Sequence, residues 1–105
     1  MVDLPRRVKI GPIWFAILHH KVLLGGKTWG ASHYAKATIK VKSGIPIQHQ
    51  AVTLLHEILH ATLTHIGRND LSDDEELVER LSESLMDTLW GSSGLLRYLK
   101  EARSL

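Results

Sequence analysis

Cysteine is missing from all 105 residues, so no disulfide can staple the chain and no thiolate can hold a metal; any ion must be bound by His, Asp or Glu. A reducing cytoplasm is the expected address. Long apolar runs are missing too. Stretches such as Ile13 to Leu18 are too short to cross a bilayer, and the first residues lack the apolar segment and small-residue cleavage site of a secretory signal. Neither membrane insertion nor export is expected. No repeat, low-complexity tract or Pro/Ser-rich linker divides the sequence, and Gly25-Gly26 reads as a turn, so residues 1–105 are expected to form one domain. Acids are nearly absent from Met1 to Ile45, where Asp3 alone accompanies Arg6, Arg7, Lys9, Lys21, Lys27, Lys36, Lys40 and Lys42. These cations could form a nucleic-acid footprint. They are spread among apolar positions without clustered aromatics, however, and solvated strand faces are the expected use.

What is present is an ordinary globular composition, with 44% hydrophobic and 23% charged residues, sufficient for one core. Arg7-Val8-Lys9-Ile10 alternates as a half-buried strand does, and Gly11-Pro12 ends it. Ile13 to Leu18, a continuous apolar run, fits either a second strand or the start of a buried helix, and strand is preferred. Ala35 to Lys42 alternates again, with Ala37, Ile39 and Val41 on one face and lysines on the other. From Ile47 to Ile66 the spacing becomes helical, with a stripe of Ala51, Leu54, Leu55, Ile58, Leu59, Leu63 and Ile66 before a stop at Gly67. Ser72 and Glu75 match a capping box that opens a second helix through about Trp90, with Leu77, Val78, Leu81, Leu85 and Leu89 as its core face. Leu95 to Ala102 reads as a short last helix packing Leu95, Leu96 and Leu99. Strands first and helices after predict an α+β fold.

The chemistry is concentrated in His56-Glu57-Ile58-Leu59-His60, an HExxH motif. Residues four apart share a helix face, so both imidazoles can reach one ion, and Glu57 is placed to take a proton from an attacking water and return it to the leaving group. Three fixed letters alone are weak evidence. Their position on a strongly amphipathic helix, followed by an acidic helix, is what favours a zinc site over an exposed polar face.

A catalytic zinc takes a third protein ligand. His65 is five residues past His60, about 140° around a continuing helix, and no glycine intervenes to turn it back. The other source is Asp73-Asp74-Glu75-Glu76-Leu77-Val78-Glu79, which a short connector can fold back onto the motif helix. Taking Leu81 as the centre of the buried face, Asp74 falls within it, Glu75 at its edge, and Glu76 and Glu79 toward solvent. Glu75 is the preferred ligand and Asp74 the next. Glu75 could equally serve only as the cap of its own helix, and Glu79 could orient a ligand or stand as a surface acid.

Thr53-Leu54-Leu55-His56-Glu57-Ile58-Leu59-His60-Ala61, with Asp74-Glu75, Val78 and Leu81, resembles the short phage-type metallopeptidases related to minigluzincins and the ImmA/IrrE proteins. The likeness spans roughly Ile39 to Leu99. It implies a small, mostly antiparallel sheet of three or four strands on the HExxH helix and a following acidic helix. It also implies a gluzincin-style third ligand at Glu75, and an extended peptide or protein substrate held by the strand before the metal helix, here Lys36 to Lys42. The Trp90-Gly91-Ser92-Ser93-Gly94-Leu95 segment departs from the family's Asn-Pro turn. The expectation is a Zn2+-dependent peptidase with His56, His60 and Glu75 on the metal and Glu57 as base. The alternatives are a non-catalytic zinc-binding phage or prophage protein and a SprT-like peptidase acting on DNA-bound proteins.

Overall fold

A computed structural model describes residues 3–21 and 28–105; the expected turn at Gly25-Gly26, and Lys27, lie outside the described residues. Arg7–Ile10 (β1) and Ile13–His20 (β2) form an antiparallel hairpin. Its turn requires Gly11 twice over: φ is +57°, and an added Cβ would run into the His65 imidazole. Gly30–His33 (β3) and Thr38–Lys42 (β4) complete a four-stranded sheet in the order β1-β2-β4-β3. The two outer pairings are antiparallel and the central β2–β4 pairing is parallel, so the sheet is mixed. β4 begins later than the alternation from Ala35 suggests. Tyr34–Lys36 instead form a single 3-10 turn, closed by Ala37 at φ +49° with its N–H donating to the Tyr34 carbonyl.

Four helices follow: Ile47–His65 (α1), Asn69–Ser72 (α2), Glu75–Gly91 (α3) and Leu95–Ala102 (α4). The α+β arrangement expected from element order is the one observed. α1 packs on β1, β3 and β4, and α3 packs on α1. The inward face of the sheet supplies Ile10, Phe15, Ile39 and Val41, which meet Ala61, Leu54 and Ile58 of α1. Ala61 is buried against these residues, and its small side chain lets the helix lie near the strands. α1 ends at Gly67, whose φ of +82° is the left-handed conformation that glycine adopts without strain. No helix among the described residues is long and apolar enough to cross a membrane.

Two packing expectations change. The buried line of α3 is Val78, Ser82 and Met86, while Leu77, Leu81 and Leu85 remain 36–39% exposed. α3 is thus rotated from the leucine-centred orientation by about one residue, or ~100°. Leu96 and Leu99 of α4 are also largely exposed rather than packed. The Ser72–Glu75 capping box does not form either: Asp74 is the N-cap, accepting from the Leu77 N–H at 3.1 Å.

Candidate metal centre

α1 carries His56 and His60 one turn apart toward the same space, with their Nε2 atoms 3.1 Å from each other. Glu75, first residue of α3, reaches across so that Oε2 lies 3.3 Å from His56 Nε2 and Oε1 lies 3.0 Å from His60 Nε2. Ligands held about 2.0–2.1 Å from a tetrahedral zinc stand about 3.3 Å from one another, so three donors at these separations fit one face of such a tetrahedron. The donor chemistry fits as well: two imidazoles and a carboxylate suit a divalent cation and need no thiolate. His56, His60 and Glu75 are close enough to bind a metal ion. Compared with protein-family models, curated proteins and solved structures, the chain matches none. The site must be read from its own geometry.

The other ligand candidates are engaged elsewhere. His65 Nδ1 is 2.9 Å from the Tyr34 hydroxyl, and its ring fills the space above Gly11. Asp74 spends its carboxylate on the helix cap. That removes the choice between cap and ligand for Glu75, since the residue before it caps the helix and leaves its side chain free to turn inward. Glu79 lines the same cleft as the histidines, beyond the three-donor group.

Ser72 has a role that its sequence position did not reveal. It is buried, its hydroxyl donates to the His60 carbonyl at 3.0 Å and lies 3.5 Å from His60 Nδ1, and it accepts from the Thr64 hydroxyl at 3.1 Å. α2 therefore braces the outer side of the His60 ring, the side away from the shared donor face. Twelve residues separate the two, with no spacing rule to link them.

Glu57 lies on the buried line of α1, between Thr53 and Ala61, and is 7% exposed. Burial pushes its carboxyl from the ordinary 4.5 up to about 7; the nearby charge of His60 opposes the rise, Glu75 adds to it, and the Ser32 side chain favours the ionised form. Opposite it runs β3. A Cβ on Gly30 would come 2.6 Å from Thr53 Cγ2 and 3.0 Å from Glu57 Cγ and Oε2, so only glycine lets this strand approach α1 so closely. Gly30→Ala should therefore push β3 away from α1 and destabilise the fold by about 1–3 kcal/mol. Thermal melting checks this, and an unchanged midpoint would contradict the tight approach.

These groups share an open cleft of about 1070 Å³ between β3, α1 and α3. That is at or above the usual upper volume of a small-molecule pocket, about 1,000 Å³. Trp29 and His49 stack at 5.0 Å between centroids on one part of its wall, and Glu79, Ser82 and Glu83 of α3 line another.

Proposed function

We propose that the chain is a zinc-dependent metallopeptidase in which His56, His60 and Glu75 hold the metal and Glu57 is the general base. The observation that carries this reading is the convergence of three donors at 3.0–3.3 Å beside a buried carboxyl in a cleft edged by a strand. A bound zinc would supply Lewis acidity, lowering the pKa of water and polarising a carbonyl. Glu57 would take the proton of the attacking water on a carboxylate oxygen and deliver it to the leaving amine nitrogen. A carboxylate in this position can accept a proton and, once protonated, return it. Ser72 would keep the His60 ring oriented throughout.

Substrate alignment is assigned to a different strand from the one the family resemblance suggests. β4, the lysine-bearing strand, is paired on both sides, with β2 and with β3, and has no free edge to offer. β3 is the edge strand in the cleft wall. The Lys42 N–H donates to the Trp29 carbonyl at 2.7 Å, which together with the Gly30↔Val41 register commits the backbone groups of Trp29, Ala31 and His33 to β4. By the same alternation, the N–H and C=O groups of Gly30 and Ser32 point off the free edge. An extended peptide adding there as a fifth strand would run past Glu57.

Bound zinc per chain, measured by elemental analysis after supplying the metal and desalting, tests the site. Near one equivalent in the wild type is expected, with His56→Ala losing it. Glu75→Gln should weaken it beyond the 10–100-fold, approximately, that outer groups command. A wild-type chain that retains no zinc would overturn the reading.

A further inference from the structure

We propose that the face of the sheet turned away from α1 binds single-stranded nucleic acid. Side chains alternate along strands, and paired residues share a face. The register therefore places Arg7 and Lys9 of β1, Trp14, Ala16 and Leu18 of β2, and Lys40 and Lys42 of β4 together on the face opposite Ile10, Phe15, Ile39 and Val41. The cations that look scattered in the sequence are gathered by the fold. No acidic residue occurs in any of the four strands.

The arrangement has a recognisable layout. Arg7 and Lys9 border the apolar strip of β2 on one side and Lys40 and Lys42 border it on the other, about 10 Å apart across two inter-strand spacings. From the Lys9–Trp14 pair to the His20–Lys42 pair is six residues along β2, or about 20 Å. Trp14 is 49% exposed within this field, with the Arg7 guanidinium 4.0 Å from its ring centroid and Lys9 Nζ at 5.8 Å. An indole flanked by cations can stack a base while neighbouring charges meet phosphates, the combination that nucleic-acid strands exploit on sheet platforms.

Charge complementarity selects a polyanion, and the surface selects its form. A face four strands wide is too broad for a major groove about 12 Å across, which admits a helix or a two-stranded ribbon, whereas a single strand exposes bases for stacking. The apolar content, Trp14 and Leu18 with Ala16 between them, is small for insertion into a lipid interface, which draws on a broad apolar face. The surface lies across the sheet from Glu57 and the metal donors, so this inference is independent of the proposed hydrolysis.

The test is fluorescence anisotropy of a labelled single-stranded thymidine oligonucleotide titrated with the full chain over a range of salt. Four phosphate contacts predict a slope of log K against log salt near −3, at about −0.7 per contact, and Lys40→Ala with Lys42→Ala should bring it about 1.4 closer to zero. Trp14→Ala should weaken binding by about 10-fold or more with the slope unchanged, and Trp14→Phe should retain most of the affinity. These side chains stand on an open face, and circular dichroism of each variant verifies that the fold is kept. No binding at low salt, binding indifferent to these substitutions, equal or tighter binding to duplex, or association with phosphatidylserine vesicles in place of the oligonucleotide would each overturn the proposal.

Discussion

Replacing Glu57 with glutamine is expected to lower peptide hydrolysis by about 10²–10⁴-fold while leaving bound zinc at the wild-type level. The substitution keeps the size of a side chain that is 7% exposed and packed beside Gly30, so the cleft should keep its shape. Only the capacity to accept a proton is lost. Glutamine is also neutral, which removes the desolvation that burial imposes on the carboxylate, and the variant should melt no lower than the wild type. Glu57→Asp makes a useful companion. It retains the acid but withdraws it by one methylene, and a misplacement of about 1 Å can cost ~10²-fold. Turnover of a peptide library by zinc-loaded protein, with zinc measured on the same samples, separates chemistry from binding. Unchanged turnover in Glu57→Gln would remove Glu57 from the reaction; turnover lost together with zinc would make it a support of the metal site.

Much of the site was legible because helical periodicity converts sequence spacing into direction. His56 and His60 are four apart on one helix, and they meet in space as that spacing predicts. Glu75 was harder to find. Its choice rested on a buried face centred on Leu81, whereas α3 actually buries Val78, Ser82 and Met86. With Ser82 as the centre, Glu75 lies about 20° from the middle of the inward face rather than at its edge. Glu75 does come within reach of both histidines, but through a different rotation of α3 from the one expected. Hydrophobicity favours leucine at the core, but the contact with α1 takes the small Ser82, whose hydroxyl is satisfied by donating to the Glu79 carbonyl at 2.9 Å.

β3 was the main element missed. Gly30-Ala31-Ser32-His33 contains no Val, Ile, Thr, Tyr, Phe or Trp, and two of its four side chains are a hydrogen or a methyl group. The reason is packing: β3 lies so close to α1 that Gly30 has no room even for a Cβ, and Ser32 comes near Glu57. The lysine strand shows the converse error: its alternation correctly predicted buried Ile39 and Val41, but alternation is the same in central and edge strands. Only the pairing order distinguishes them, and that order moves the expected peptide-binding edge from β4 to β3.

Chelator-treated protein should lose stability as pH rises from about 4.5 to about 7, and Glu57 should be the cause. The folded chain holds this carboxyl at about 7 against an ordinary 4.5, so between those values the unfolded chain releases a proton that the folded chain keeps. Stability from this group is therefore complete below 4.5, falls through the window and levels off above 7. The gap corresponds to roughly 3 kcal/mol, and for a domain of this size roughly 10–20 °C in melting temperature. Other groups titrate over the same range, so the informative quantity is the difference between wild type and Glu57→Gln, which has no proton to release. That difference should widen with rising pH in chelator and shrink when zinc is supplied, because a dication beside the carboxylate favours its charged form. Zinc itself should stabilise more as pH rises, as protons cease to compete for the imidazoles. Parallel pH profiles for the two proteins in chelator would mean that burial does not hold Glu57 protonated.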